Sequence, residues 1–218
     1  MKIVIDGNIG SGKTTQLGLL EKKGWQVRRE PIDDWPLEEF YKDPSRWAYL
    51  LHMRILQTLR PVRSERPVIY ERSLLSSRWV FWPVLQRQGH VTPAEHASYD
   101  QFYEQHAWYP DLYIFLAKDV ELGHKHVTSR GQAGDTGVTL EYMKQLDEEY
   151  RKLLMKVPCK VHVLNANRTV EEIHKEICRI LAENELFFGD GLGDKMQKDG
   201  RSRRKVPCTP FTDLCRVS

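Results

Sequence analysis

Short apolar runs alternate with longer amphipathic stretches along this chain, the pattern of a parallel β-sheet whose crossovers are helices. The runs Lys2–Asp6, Gln26–Glu30, Val68–Glu71, Leu112–Leu116 and Lys160–Leu164 predict strands. Between them, Lys13–Lys23, Ser45–Arg60, Leu74–Gln88, Thr92–His106, Val120–Arg130, Thr139–Met155 and Thr169–Asn184 predict helices. The joining segments carry Pro61, Pro67, Pro93, Pro110 and Pro158, residues that punctuate rather than continue an element. The expected fold class is therefore α/β, a five-stranded parallel sheet flanked by helices.

Two stretches leave this pattern. Gly131–Gly137 is small, polar and glycine-rich, and is expected to form a mobile loop before a helix. From Gly189 onward apolar periodicity is lost, and residues 189–218 are expected to be a basic, disordered tail after one domain of residues 1–188. The net charge of +3 sharpens that division. From Asp190 onward there are seven Lys/Arg and four Asp/Glu, which leaves the body balanced at 26 of each. A neutral body gives no footprint for nucleic acid. The Arg201–Lys205 run reads as a solvated tail, with nuclear entry or phosphate binding as the less favoured readings.

At 218 residues with 40% hydrophobic content the chain can bury a core. Cys159, Cys178, Cys208 and Cys215 show neither C-x-x-C pairing nor zinc spacing with His, so reduced thiols and a cytoplasmic, intracellular protein are expected. Neither a secretory or mitochondrial leader nor a membrane span is expected.

The first strand runs into Asp6-Gly7-Asn8-Ile9-Gly10-Ser11-Gly12-Lys13-Thr14, a full G-x-x-x-x-G-K-[ST] motif between strand and helix. Glycines at these places let backbone N–H groups turn inward around phosphates, and the following helix adds its positive end. Lys13 is placed to reach the β- and γ-phosphates, and Thr14 offers a hydroxyl to Mg²⁺. Gly7, Asn8, Ile9, Gly10, Ser11, Gly12, Lys13, Thr14 and Thr15 are thus the phosphate-binding candidates for ATP.

Two further strands deliver charge to the same edge. Pro31 ends the second ladder and leaves Glu30 at its carboxyl end, where open α/β sheets line their ligand crevice. A carboxylate there can take a proton from an attacking hydroxyl, or simply pair with Arg28 or Arg29. The third strand leads into Glu71-Arg72-Ser73. Glu71 is a candidate Mg²⁺ ligand and Arg72 a candidate for neutralising a transferring phosphoryl group.

Three segments together resemble the deoxynucleoside kinase family, which includes deoxycytidine, deoxyguanosine and mitochondrial-type thymidine kinases. They are IDGNIGSGKTT (Ile5–Thr15), EPIDDW (Glu30–Trp35) and ERSLLSSRWVF (Glu71–Phe81). FYKDPSRWAYLLH (Phe40–His52) and VTLEYMKQLDEEY (Val138–Tyr150) fit as well, and the short amino end is similar to compact members from large DNA viruses. The resemblance implies a P-loop kinase fold with a lid, ATP and Mg²⁺ as donor and cofactor, and a homodimer built on helices. It also implies roles: Glu30 as base on the 5′-hydroxyl, Glu71 near Mg²⁺, Arg72 on the phosphates, and Tyr41 and Asp135 on the sugar 3′-hydroxyl. Trp35 and Phe81 would wall and stack the base, and Asn167, Arg168 and Thr169 fall where a loop contacts adenine.

Departures from the family matter. His52 stands where the family has a base-reading Gln, and in the lid only Arg130 keeps an arginine position. Relatives that take deoxycytidine with purines pair an Arg and an Asp where this chain has Leu59 and Ser77. Ile55 and Leu59, four apart on one helical face, would then present an apolar wall to a pyrimidine, thymidine first and deoxycytidine second. His52 would weaken base discrimination and bring a pH dependence near the His pKa. The expected reaction is ATP-dependent phosphorylation of a deoxynucleoside 5′-hydroxyl in nucleotide salvage. The alternatives are a thymidylate kinase-like enzyme using Arg28, Arg29 and Arg78 on an acceptor phosphate, and a non-catalytic nucleotide-binding subunit. Leu74–Leu85, with Trp79, Trp82 and Val84, serves equally as a dimer face or as core.

Overall fold

The computed structural model describes residues 1–131 and 135–189, except the side chains of Thr136 and residues 185–189. The chain opens with β1 (Lys2–Asp6), α1 (Lys13–Lys22) and β2 (Gln26–Arg28). A 3₁₀ turn (Ile32–Asp34), α2 (Leu37–Lys42), α3 (Pro44–Thr58) and β3 (Val68–Glu71) follow. Next come α4 (Leu74–Ser76), a π turn (Ser77–Phe81), α5 (Trp82–Arg87) and α6 (Pro93–His106). The remainder is β4 (Leu112–Ala117), α7 (Val120–Arg130), a second 3₁₀ turn (Asp135–Gly137), α8 (Leu140–Leu154), β5 (Lys160–Asn165) and α9 (Val170–Gly189).

Among the described residues the five strands form one all-parallel sheet in the order β2-β3-β1-β4-β5. The central strands read as near-continuous apolar runs because helices cover both faces. Ile3, Val4, Ile5, Ile69, Tyr113 and Ile114 are fully buried. Register sets Ile5 level with Glu71, so the ends of β1 and β3 emerge side by side at the carboxyl edge. The compact unit spans Met1–Cys178. In the segment from Arg179, described as far as Gly189, Arg179 pairs with Glu183 and Asn184 donates to the Ile180 carbonyl. The expected tail, with Cys208 and Cys215, lies outside the described residues, while Cys159 and Cys178 carry free thiols. No described helix is long and apolar enough to cross a membrane.

Caps set most helix starts. Asp43, Thr92 and Thr139 each accept a hydrogen bond from a backbone N–H of the first turn, and Thr92 with Glu95 completes a capping box.

Two expectations are corrected, and two points are added. The second strand stops at Arg28, so Glu30 lies in the loop beyond it. Leu74–Gln88 is not one α-helix. Pro83 has no N–H to send to the Trp79 carbonyl, and Trp82 N–H instead reaches back five residues to Ser77 O. α2 was not foreseen, because six residues with only Phe40 buried carry little periodicity. Within Leu74–Leu85, Trp82, Val84 and Leu85 are buried inside this chain, and Trp79 packs partly buried against the same core.

Gly10 shows how closely the P-loop sits on α7. Its φ is +75°, and an added Cβ would lie 2.3 Å from the Gly123 carbonyl oxygen. At Gly123 the equivalent atom would lie 3.1 Å from Ile9 O and from the flexible Met143 Cε, and no positive φ is involved. Gly10→Ala is therefore expected to cost about 1–3 kcal/mol and to lower the melting temperature more than Gly123→Ala does. Equal melting temperatures for wild type and Gly10→Ala contradict this packing.

Candidate active site

The loop after β1 turns inward as its glycines allow, with φ of +75° at Gly10 and +94° at Gly12. Asn8 ties it to its neighbours. The side-chain amide donates to Met143 O at 2.8 Å, and the side-chain oxygen accepts from Ile9 N–H at 2.8 Å. Lys13 Nζ donates to the carbonyls of Gly7 (3.0 Å) and Asn8 (2.9 Å), so its ammonium lies inside the loop's curve. Burial, and then the nearby Arg72 charge, lower its pKa to about 8. The buried Ser11 hydroxyl has no hydrogen-bond partner among the described residues.

Arg72 is the hub of the site. It is the only described non-glycine residue with positive φ, at 58°, a strained conformation held by its N–H donating to Ile5 O at 3.0 Å. Its guanidinium donates to Glu30 Oε2 at 2.5 Å, to Tyr150 OH at 3.2 Å and to Gly7 O at 3.3 Å. It also lies 5.2 Å from the centre of the Phe81 ring. Glu71 turns away from its sequence neighbour and accepts from the Thr14 hydroxyl at 2.7 Å. Neither a Glu71–Arg72 pair nor a Glu30 pair with Arg28 or Arg29 forms. Burial raises the Glu30 pKa, against the opposing pull of Arg72.

Beneath this hub lies a residue the sequence reading missed. Asp6 is fully buried and accepts from Gly7 N–H (2.7 Å), Tyr113 OH (2.6 Å) and Tyr150 OH (2.9 Å), with Arg72 Nε 3.6 Å away. One carboxylate thus ties the P-loop, β4, α8 and the arginine together. Its signal was an acid closing an otherwise apolar strand directly before Gly7.

A cavity of about 570 Å³ joins these groups to an apolar slot. Lys13, Thr14, Thr15, Glu30, Glu71 and Arg72 line one end, beside Ile9 and Gly10. Trp35, Tyr41, His52, Ile55 and Phe81 line the rest, with Leu51 and Tyr142 not foreseen. Trp35 is oriented by its Nε1–H, which donates to Thr58 Oγ1 at 2.9 Å. Burial raises the Tyr41 hydroxyl to a pKa of about 12, so it acts as a neutral donor. Gly137 packs on that ring, where an added Cβ would lie 2.3 Å from Tyr41 Cγ. Arg130 and Asp135 also border the cavity and hold each other in a two-point pair at 2.9 and 2.8 Å.

Three expectations are not met here. Leu59 does not line the cavity: α3 ends at Thr58, Leu59 leaves helical geometry, and its side chain packs against the core. Ser77 lies behind His52, bonded to its Nδ1 at 3.0 Å, rather than in the cavity. Burial lowers the His52 pKa to about 3, so the ring is neutral throughout the working range and brings no pH dependence near 6.5. Asn167, Arg168 and Thr169, expected at the adenine of ATP, lie at exposed positions outside this cavity. Asn167 accepts from Asp119 N–H, Arg168 pairs with Glu176, and Thr169 with Glu172 forms the entry to α9.

Comparison with known proteins agrees with this geometry. A family model described as deoxynucleoside kinase matches residues 3–187. A putative kinase protein of Invertebrate iridescent virus 3 is 29% identical over 186 residues, 83% of this chain and 95% of that protein. A probable deoxycytidine kinase of Fowlpox virus is 28% identical over 167 residues, covering 70% of this chain and 71% of that one. The solved structure of a deoxyadenosine kinase from M. mycoides superposes with a TM-score of 0.77 at 23% identity, covering 84% of this chain and 99% of that chain, and so shares the fold. With the match running from β1 into α9, this chain belongs to the deoxynucleoside kinase family and is a kinase.

Proposed function

We propose that this kinase transfers the γ-phosphoryl group of ATP to the 5′-hydroxyl of a pyrimidine deoxynucleoside, thymidine before deoxycytidine, as a step of nucleotide salvage. The observation that carries the reading is the joining, in one cavity, of a buried carboxylate, a P-loop lysine and an aromatic slot. At about 570 Å³ the cavity has the size of a small-ligand site.

The residues divide the work. Lys13 and the loop N–H groups bind the donor phosphates, and Arg72 offers fixed positive charge where phosphoryl charge develops. Glu30, whose proton affinity is raised by burial, takes the proton from the 5′-hydroxyl. Tyr41 and Asp135 hold the sugar, and Trp35 and Phe81 enclose the base. Thr14 and Glu71 bring two hard oxygens within 2.7 Å of each other, a donor set suited to Mg²⁺ completed by phosphate and water. When bound, that ion supplies positive charge to the phosphate oxygens.

A neutral acceptor suits the cations better than a monophosphate does. Of the three arginines available for a second phosphate, Arg28 does not line the cavity, Arg78 pairs with Asp100, and Arg29, which borders the cavity, pairs with Glu21. The pyrimidine preference rests on the apolar surface of Leu51, Ile55 and Phe81.

Glu30→Gln keeps the shape and one hydrogen bond with Arg72 but cannot take the proton. It is expected to lower kcat by about 10²–10⁴-fold with little change in KM. If KM rises and kcat holds, Glu30 is a binding residue and Glu71 becomes the base. A second expectation follows from Lys13. Its pKa of about 8 means the ligand-free enzyme carries a neutral lysine above that pH. Only the charged form attracts phosphate, so binding takes up a proton there. The Kd for ATP, measured by calorimetry without acceptor, should be flat below about pH 8 and weaken about tenfold per unit above it. A flat Kd well into the alkaline range contradicts this role.

A further inference from the structure

Under the apolar end of the cavity, His52, Ser77 and Tyr99 form a short chain of hydrogen bonds. His52 Nδ1 lies 3.0 Å from Ser77 Oγ, which lies 2.9 Å from Tyr99 OH. Relative exposures are 2%, 3% and 0%, so solvent does not complete the chain. Aromatic rings hold it in place: Tyr99 stacks on Trp82 at 4.0 Å, and His52 meets both rings edge-on at 5.1 and 5.7 Å.

The protons can be placed by counting. Each of the two bonds needs one hydrogen, and each hydroxyl can donate once. In one arrangement Tyr99 donates to Ser77, and Ser77 donates to His52 Nδ1. The imidazole proton then sits on Nε2. In the other two, Nδ1–H donates to Ser77. Either Ser77 then donates to Tyr99, whose proton is left without an acceptor because Ser77 is its only hydrogen-bond partner among the described residues, or Tyr99 also donates to Ser77, whose own proton is left without one. Burying an unpaired hydroxyl proton disfavours both arrangements by roughly tenfold or more. His52 Nδ1 is occupied either way, which leaves Nε2 as the ring's polar atom for the cavity that His52 lines.

We infer that Tyr99, acting through Ser77, fixes His52 as its Nε2–H tautomer, so that the cavity offers the nucleobase a hydrogen-bond donor and selects pyrimidines with a carbonyl rather than an amino group at position 4. The inference rests on the assignment of this slot to the base. It also makes Tyr99 a positioning residue for specificity, three bonds from any substrate. The lowered pKa of His52 supports it: a neutral ring has one donor and one acceptor side, and the chain decides which side faces the ligand. An amino group would set donor against donor, whereas a 4-carbonyl accepts. His52 thus discriminates by its tautomer.

The test combines an NMR readout with kinetics. Nitrogen-15 imidazole spectra of the histidine-labelled, ligand-free protein distinguish the two neutral tautomers, with the His52 signals assigned from their loss in His52→Gln. Wild type is expected to show the Nε2–H pattern and to favour thymidine and deoxyuridine over deoxycytidine by roughly tenfold or more in kcat/KM. Tyr99→Phe keeps the ring stack and frees Ser77 to accept. It should give a tautomer mixture and lower the thymidine-to-deoxycytidine ratio roughly tenfold. Should that variant not fold, Ser77→Ala tests the same link and should lower the ratio in the same direction. An Nδ1–H pattern in wild type overturns the inference, as does a Tyr99→Phe protein with unchanged tautomer and unchanged ratio. A purine preference overturns the selection claimed here whatever the tautomer, and the Tyr99→Phe spectrum then decides separately whether Tyr99 sets that tautomer.

Discussion

Arg72 is buried and held against Glu30 and Asp6, and the rest of the site is arranged around that constraint. Burying a guanidinium is unfavourable unless carboxylates and further acceptors surround it. Here Glu30, Asp6, Tyr150 and the Gly7 carbonyl do so, and even the strained backbone at Arg72 is accepted to bring the charge there. Removing one partner would leave an uncompensated buried charge, a change that typically costs about 3–5 kcal/mol. Stability and chemistry therefore rest on the same groups. Glu30 keeps a raised pKa because burial outweighs the attraction of Arg72.

From that hub the cavity divides by chemistry. At one end backbone N–H groups, Lys13 and Arg72 favour negative charge, and Thr14 with Glu71 brings together oxygens suited to a hard cation. At the other end Trp35, Leu51, Ile55 and Phe81 enclose apolar surface, with His52 as the neutral polar point. The strand register that puts Ile5 beside Glu71 sets the charged end, and the π turn at Ser77–Phe81 carries Phe81 at the apolar end with Ser77 behind it. Arg130 at the end of α7 and Asp135 border the cavity and pair with each other.

How much of this was legible in the sequence depended on how local the cause was. The P-loop was readable because backbone geometry demands glycine at given places. Glu30 was readable because Pro31 has to end a ladder, although the strand stops two residues earlier at Arg28. The single helix expected over Leu74–Gln88 failed because the apolar spacing hides the missing N–H of Pro83. Leu59 failed for a related reason: the spacing with Ile55 holds only while the helix lasts, and it ends at Thr58. Asp6, Tyr113, Tyr150 and Tyr99 were not visible as site residues. Their roles come from contacts between elements far apart in sequence, such as the bond from Tyr150 on α8 to the end of β1. His52 was noticed, but its neutrality comes from burial that a sequence does not display.

The central claim is that this site phosphorylates a neutral deoxynucleoside at its 5′-hydroxyl. The most direct measurement gives the purified protein Mg-ATP and, separately, the four deoxynucleosides and dTMP, with products identified by phosphorus NMR. The account predicts a 5′-monophosphate from thymidine first, a smaller amount from deoxycytidine, and no diphosphate from dTMP. Efficient conversion of dTMP to the diphosphate, with no deoxynucleoside turned over, would contradict it.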